Sequence, residues 1–281
     1  RCQKPEVGSN QELHHADFTL LAPFLSRPWP TGGFHKVGKS LPRIMLIGKS
    51  DDQDTVRMSM RWGKRRLRKK YFRGRKRSLS EQHCKYFNEK AAHWDQMVED
   101  KTLQGLDLII KGLEIKPGSV VLDVGTGTGI LIPFLKEAVG DSGSIVALDL
   151  AEEMLKRAKE KHGEQVRYVQ GDIVNTPFED NSFDEMICNS CFPHFQDKEV
   201  AVKEMMRILK PGGRVTVCHT ASREDMNAMH RSFGGVVGED MLPDDDEMKS
   251  MFQQAGFASI EISDSDRGYL LTARRYQPRG R

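Results

Sequence analysis

The most specific chemistry in this sequence lies in three aspartates and a glycine loop. The run Val120-Val121-Leu122-Asp123-Val124-Gly125-Thr126-Gly127-Thr128-Gly129 sets an apolar strand directly before three glycines at alternate positions. Glycines there permit positive φ and let the backbone approach a ligand closely. A dinucleotide site begins in the same way, but Ile130 stands where its fingerprint needs a third glycine. Asp123 also precedes Gly125 by two residues, and a carboxylate beside the loop repels a pyrophosphate. It suits instead a nucleoside ligand carrying ammonium and sulfonium charges. Asp149, twenty residues after Gly129, can accept both hydroxyls of a ribose. Asp172 can accept adenine amino hydrogens while Ile173 packs the ring. Each acid alone reads as a solvated strand end. Three at successive strand ends read as a binding site.

A second group lies on the run Asn189-Ser190-Cys191-Phe192-Pro193-His194-Phe195. His194 is the candidate general base, because imidazole titrates near neutral pH; the alternative is a histidine that only hydrogen-bonds its loop. Phe192, Phe195 and His219 are expected on the same rim, against a substrate. Tyr86, Phe87, His93 and Trp94 lie on an N-terminal helix that either closes over the ligand or merely docks on the sheet. Cys188 and Cys191 have C-x-x-C spacing without a second pair, and no paired ligand spacing joins His219 and His230 to Cys191. No metal is expected.

These residues need a scaffold, and the sequence supplies an alternation of short apolar runs with helical patterns, the mark of a parallel α/β sheet. Strands are expected near 119–124, 144–149, 166–170, 183–188, 213–219, 257–263 and 268–275. Helices are expected at 81–98, 102–113, 128–139, 151–162, 197–209, 222–231 and 244–255, the last capped by Asp244-Asp245-Asp246 and closed by Gly256. The short Asp264-Ser265-Asp266-Arg267 connection makes the last two strands an antiparallel pair.

From Tyr86 to about Arg275 the chain resembles the class I S-adenosylmethionine (SAM) dependent methyltransferases of the small-molecule type. It is similar to the broad group that includes the ubiquinone and menaquinone biosynthesis C-methyltransferases. The resemblance rests on Leu122–Gly129, Ala147-Leu148-Asp149-Leu150 with Glu153-Met154-Leu155, Gly171-Asp172, Asn181-Ser182-Phe183-Asp184 and Leu209-Lys210-Pro211-Gly212-Gly213. It implies a Rossmann-like, seven-stranded, mostly parallel sheet with its last strand antiparallel and helices on both faces. It further implies SAM held by Asp123, Gly125, Thr126, Gly127, Gly129, Asp149, Leu150, Met154, Asp172, Ile173 and Asn189. The implied activity is methyl transfer to a small or medium-sized organic acceptor, with release of S-adenosylhomocysteine. The N/D-P-P-Y/F tetrad of amino-group methyltransferases is absent after strand four, and the loop also departs from the quinone enzymes. An RNA methyltransferase tethered by a basic arm, and a SAM-binding regulator without turnover, are the alternatives.

Charge divides the chain near residue 80. Residues 1–80 hold 19 Lys/Arg against 6 Asp/Glu, and the remainder 24 against 34. Twelve Lys/Arg and no acid fall between Arg57 and Arg77. That density repels itself, so this stretch is expected to be a disordered extension rather than a nucleic-acid tether, with the methyltransferase domain at 81–281. The chain does not begin with Met, and upstream sequence outside the native protein is a further reading of the extension. Gly33-Phe34-His35-Lys36-Val37-Gly38-Lys39-Ser40 matches a phosphate loop, but Pro28 and Pro30 spoil the strand before it and Pro42 follows without an amphipathic helix. No apolar run reaches the ~20 residues that span a bilayer. Phe18–Leu25 is too short, and too acidic upstream, for a signal segment. Five cysteines scattered through 281 residues fit a reducing, cytoplasmic setting.

Overall fold

In the strands at the centre of the chain, successive side chains alternate between two buried faces, as a parallel sheet covered on both sides requires. The structure is a computed structural model, and it describes residues 79–277. The basic run and the phosphate-loop motif lie outside those residues. A helix over 79–90 (α1) leads into a 3₁₀ segment, Ala91–Met97, and then α2, Asp100–Gly112. There follow β1 (Val120–Val124), α3 (Ile132–Val139), β2 (Ser144–Asp149), α4 (Glu152–His162), β3 (Arg167–Gln170) and β4 (Phe183–Asn189). A 3₁₀ turn, Phe192–His194, precedes α5 (Lys198–Ile208), β5 (Leu209–His219), α6 (Arg223–Phe233), α7 (Asp245–Ala255), β6 (Phe257–Ser265) and β7 (Gly268–Arg275).

The seven strands form one sheet in the order β3-β2-β1-β4-β5-β7-β6. β1 to β5 pair in parallel, while β7 runs antiparallel to both β5 and β6. The expected antiparallel last strand is therefore present. On one face Leu122, Val124, Met186, Cys188, Val215 and Val217 meet Val202 and Met205 of α5 and Phe252 of α7. On the other, Val121, Ala147, Ile187 and Cys218 meet Leu106 of α2, Ile132 and Leu135 of α3 and Ala158 of α4. Burying a Leu, Ile or Phe side chain stabilises by about 1.5–3 kcal/mol, so these two layers fix the strand register.

Strand order reverses between β1 and β4, and ligands bind at such a switch point, outside the carboxyl ends of the strands. Two elements start four residues from the sequence expectation. The chain from Gly125 to Leu131 is spent on turns, so α3 begins at Ile132 rather than near 128. β5 begins at Leu209, four residues early, because Phe183 pairs with Leu209 while Glu185 already pairs with Arg214. The extra residues Lys210–Gly213 form a bulge in that ladder.

Candidate active site

The glycine loop leaves β1 at the switch point with Gly125, Gly127 and Gly129 at φ 64°, 55° and 85°. Those left-handed values favour glycine, which has no Cβ to clash. Space adds a second constraint at Gly125, where a Cβ would stand 2.5 Å from that of Cys191. Cys191 is itself tied to β1, its thiol donating to the Val124 carbonyl at 2.9 Å. Neither Cys188 nor Cys191 is therefore set up as a metal ligand: one is inside β4, the other clamps the loop.

Both acids of the loop are held by hydrogen bonds. Asp123 is 1% exposed and accepts from the Thr126 hydroxyl at 2.6 Å. Burial pushes its carboxyl up to about 7, with nearby Asp149 adding to the rise and Thr126 opposing it. Asp149, at the end of β2, accepts from the Gly127 amide and the Ala151 amide, each at 2.8 Å. Burial raises it to about 6 against those bonds. Two neighbouring carboxyls that resist ionising in a dry site are suited to a cationic ligand, which would restore the charged forms. Asp172 accepts from the Val174 amide at 3.1 Å and from the Ser80 hydroxyl of α1 at 3.3 Å. A nucleoside cation with a ribose thus fits the donor and acceptor set these loops present.

The N-terminal helix lies across these strand ends. The Cys84 thiol donates to the Leu150 carbonyl at 3.4 Å, and Asn88 accepts from the Glu153 amide at 2.9 Å. Phe87 and Trp94 pack on Ala91, Ala151 and Met154. A Cβ on Gly127 would lie 3.8 Å from the Trp94 indole nitrogen, so the indole covers the loop. Asp95 accepts from Thr128 at 2.5 Å and pairs with Lys161 at 3.0 Å.

The loop after β4 turns at Ser190, whose φ of 54° is costly for a residue with a Cβ. It ends in the 3₁₀ turn that carries His194, whose Nδ1 lies 2.8 Å from Asp240 Oδ2. Asp240 sits in the connection between α6 and α7 and also receives His83 Nε2 of α1 at 2.7 Å. Burial alone would raise the Asp240 carboxyl, but the two histidines hold it well below the usual carboxylate range. Burial lowers His194, whereas the bonds to Asp240 and to the Leu79 carbonyl outweigh burial at His83 and raise it. Phe87 joins the two halves of the site, its ring centroid 5.0 Å from that of His194 and 5.7 Å from that of Trp94.

Several expected residues behave differently. Phe192 is fully buried against Phe195 and Phe252, so it anchors the loop from behind instead of facing a substrate. His219 is 1% exposed, pushed down to about 3 by burial, with neither ring nitrogen hydrogen-bonded. It forms a wall under the rim rather than part of its edge. Met154 and Ile173 are buried beside the site, while Asn189, Leu150, Phe195, Tyr86 and Trp94 stay partly open. Sequence reasoning missed His83 and Asp240, because 83, 194 and 240 share no spacing and only the fold unites them.

Comparison with known proteins follows the same lines. A family described as "Methyltransferase domain" matches residues 122–217. The demethylmenaquinone methyltransferases of Staphylococcus carnosus (strain TM300) and Staphylococcus haemolyticus (strain JCSC1435) are 34% and 36% identical to this chain over 179 residues. In each case the match covers 55% of this chain and 74% of the relative. Among solved structures, a SAM dependent methyltransferase from Aquifex aeolicus superimposes with a TM-score of 0.54 at 22% identity, over 65% of this chain and 96% of that one. A chain from the complex of the Haloferax volcanii Trm112 methyltransferase activator with a methyltransferase gives a TM-score of 0.59 at 21% identity, over 68% and 98%. At those identities the two structures speak for the fold alone.

Proposed function

The chain belongs to the class I SAM-dependent methyltransferases, and we propose that the acceptor it methylates is a small aromatic hydroxy compound of the quinol kind. The observation that carries this reading is the His194–Asp240 pair, set beside an aromatic wall and linked through Phe87 to the residue that covers the glycine loop. The names of the Staphylococcus relatives point to the same acceptor class.

SAM, when bound, supplies a methyl group on a sulfonium centre open to in-line displacement. In the proposed arrangement Asp149 would hold the ribose hydroxyls and Asp172 would accept from the adenine amine. Asp123 and Asp149 provide the negative charge that a sulfonium and an ammonium require. Trp94 and Phe87 keep water out. His194 faces the acceptor side: with its Nδ1 proton held by Asp240, its Nε2 is the basic nitrogen. A quinol hydroxyl that gives its proton to Nε2 leaves a phenolate whose ring carbon is nucleophilic. The other contributions are alignment and desolvation.

The test uses the full chain, methyl-labelled SAM and a short-chain 1,4-naphthoquinol kept reduced, with the product read by mass spectrometry. A methylated naphthoquinol is expected, and His194→Gln should lower kcat by about 10²–10⁴-fold while SAM affinity stays unchanged. SAM binding without naphthoquinol turnover would sink the acceptor and leave the family intact.

A further inference from the structure

His83, His194 and Asp240 bring one carboxylate and two imidazoles to a single point, with one ligand atom from each within 4.8 Å of the others. Both imidazole nitrogens converge on the same oxygen, Oδ2, at 2.7 and 2.8 Å. The three come from separate parts of the fold: α1, the turn after β4, and the α6–α7 connection. His83 and Asp240 are buried, and the His194 side chain is 16% exposed. We propose that this trio binds one divalent transition-metal ion of the imidazole-preferring class, Zn²⁺, Fe²⁺, Co²⁺ or Ni²⁺.

The surroundings have the form of such a site. A ligating histidine normally donates its second ring N–H to a carbonyl or carboxylate, which fixes the tautomer. His83 Nδ1 lies 2.8 Å from the Leu79 carbonyl, and its Nε2 faces Asp240 with the Gln196 amide nitrogen 3.3 Å away. Asp240 is steadied from behind, its backbone carbonyl accepting from His230 Nδ1 at 2.5 Å. The Lys198 ammonium nearby is held by the Pro193 and Phe195 carbonyls at 2.7 and 3.1 Å. Tetrahedral ligands at ~2.0–2.1 Å from an ion stand about 3.3 Å apart, so the two contacts to Asp240 need open by about half an ångström, while the two imidazole nitrogens, within 4.8 Å of each other, settle to the same spacing. Two imidazoles with one carboxylate favour these metals over Mg²⁺ or Ca²⁺ and leave coordination positions open.

The site has a consequence for turnover that rests on the reading of His194 as a base. An ion on Nδ1 leaves Nε2 carrying the proton, so a loaded chain cannot take a proton there. Metal binding and methyl transfer are then alternatives, and the ion is a brake that also pins α1 to the acceptor loop. Metal binding itself does not depend on that reading.

The test is a titration of the untagged full chain, freed of metal by chelator, with Co²⁺ alone, followed by its visible absorption. One Co²⁺ per chain is expected, displaced by Zn²⁺ and not by Mg²⁺. Both His83→Gln and Asp240→Asn should weaken Co²⁺ binding by about 100-fold or more. SAM affinity, measured on the same variants by calorimetry, reports whether they are folded. Absence of Co²⁺ binding in the unaltered chain overturns the site, as does undiminished binding in a variant that still binds SAM. If Zn²⁺ binds but methyl transfer is unaffected, the ion is there and the base reading of His194 falls.

Discussion

Asp123 shows how one buried carboxyl can couple the ligand to stability. Its carboxyl is raised to about 7 in the fold, against an ordinary value near 3.9 in the unfolded chain. Between those values the native state binds more protons than the unfolded one, so stability from this group is full below the unfolded value and is lost as pH rises through about 7. Asp149, at about 6, acts with the same sign over a narrower window. Asp123→Asn should therefore stabilise the SAM-free chain relative to the parent at pH 8 by on the order of a few kcal/mol, and hardly at all at pH 4. Urea midpoints at the two pH values check this, and an equal difference at both would refute it. A cationic ligand draws the proton off these acids. SAM affinity should then rise between pH 6 and 8, with proton release visible in calorimetry in buffers of different ionisation heat. At Gly125 an alanine meets both a φ of 64° and the Cys191 side chain, so Gly125→Ala should cost well over the ~1–2 kcal/mol of a left-handed alanine. The loop glycines and three acids could be read from the sequence because their spacing is local. The orientation of Asp123, inward to Thr126, could not.

Elements were legible where a single rule governs them. β1, β2 and β4 are largely apolar runs between turn signals, and α7 is capped by Asp244, whose side chain accepts from the Glu247 amide at 2.9 Å. Asp244→Ala should cost about 1 kcal/mol in urea unfolding through loss of that cap. Where two rules compete, the reading failed. Lys210-Pro211-Gly212-Gly213 has turn composition, yet it belongs to β5 as a bulge. The expected helix 81–98 keeps its apolar face across Phe87, Ala91 and Trp94, but tightens to a 3₁₀ form from Ala91, which brings Trp94 over the loop. Removing that cover with Trp94→Ala should weaken SAM binding about 10-fold and leave the fold's urea midpoint nearly unchanged, since Trp94 is only partly buried. A wild-type SAM affinity in this variant would mean that the segment is a prop.

Across the whole molecule, the site is a product of topology. Strand order places the glycine loop at the switch between β1 and β4, with Asp149 at the end of β2 and Asp172 just after β3 beyond it. The acceptor side is assembled from α1, the β4 loop and the α6–α7 connection, so His83, His194 and Asp240 meet only in three dimensions. No helix among the described residues is long and apolar enough to cross a membrane. In the proposed site SAM would occupy the loop between Gly125 and Gly129 with its ribose on Asp149. Isothermal titration of SAM into the full chain and its Asp149→Ala variant tests it most directly. One site per chain is expected in the parent and a loss of about 100-fold or more in the variant, by analogy with removing a charged hydrogen-bond partner. Equal affinity in the two proteins would contradict it.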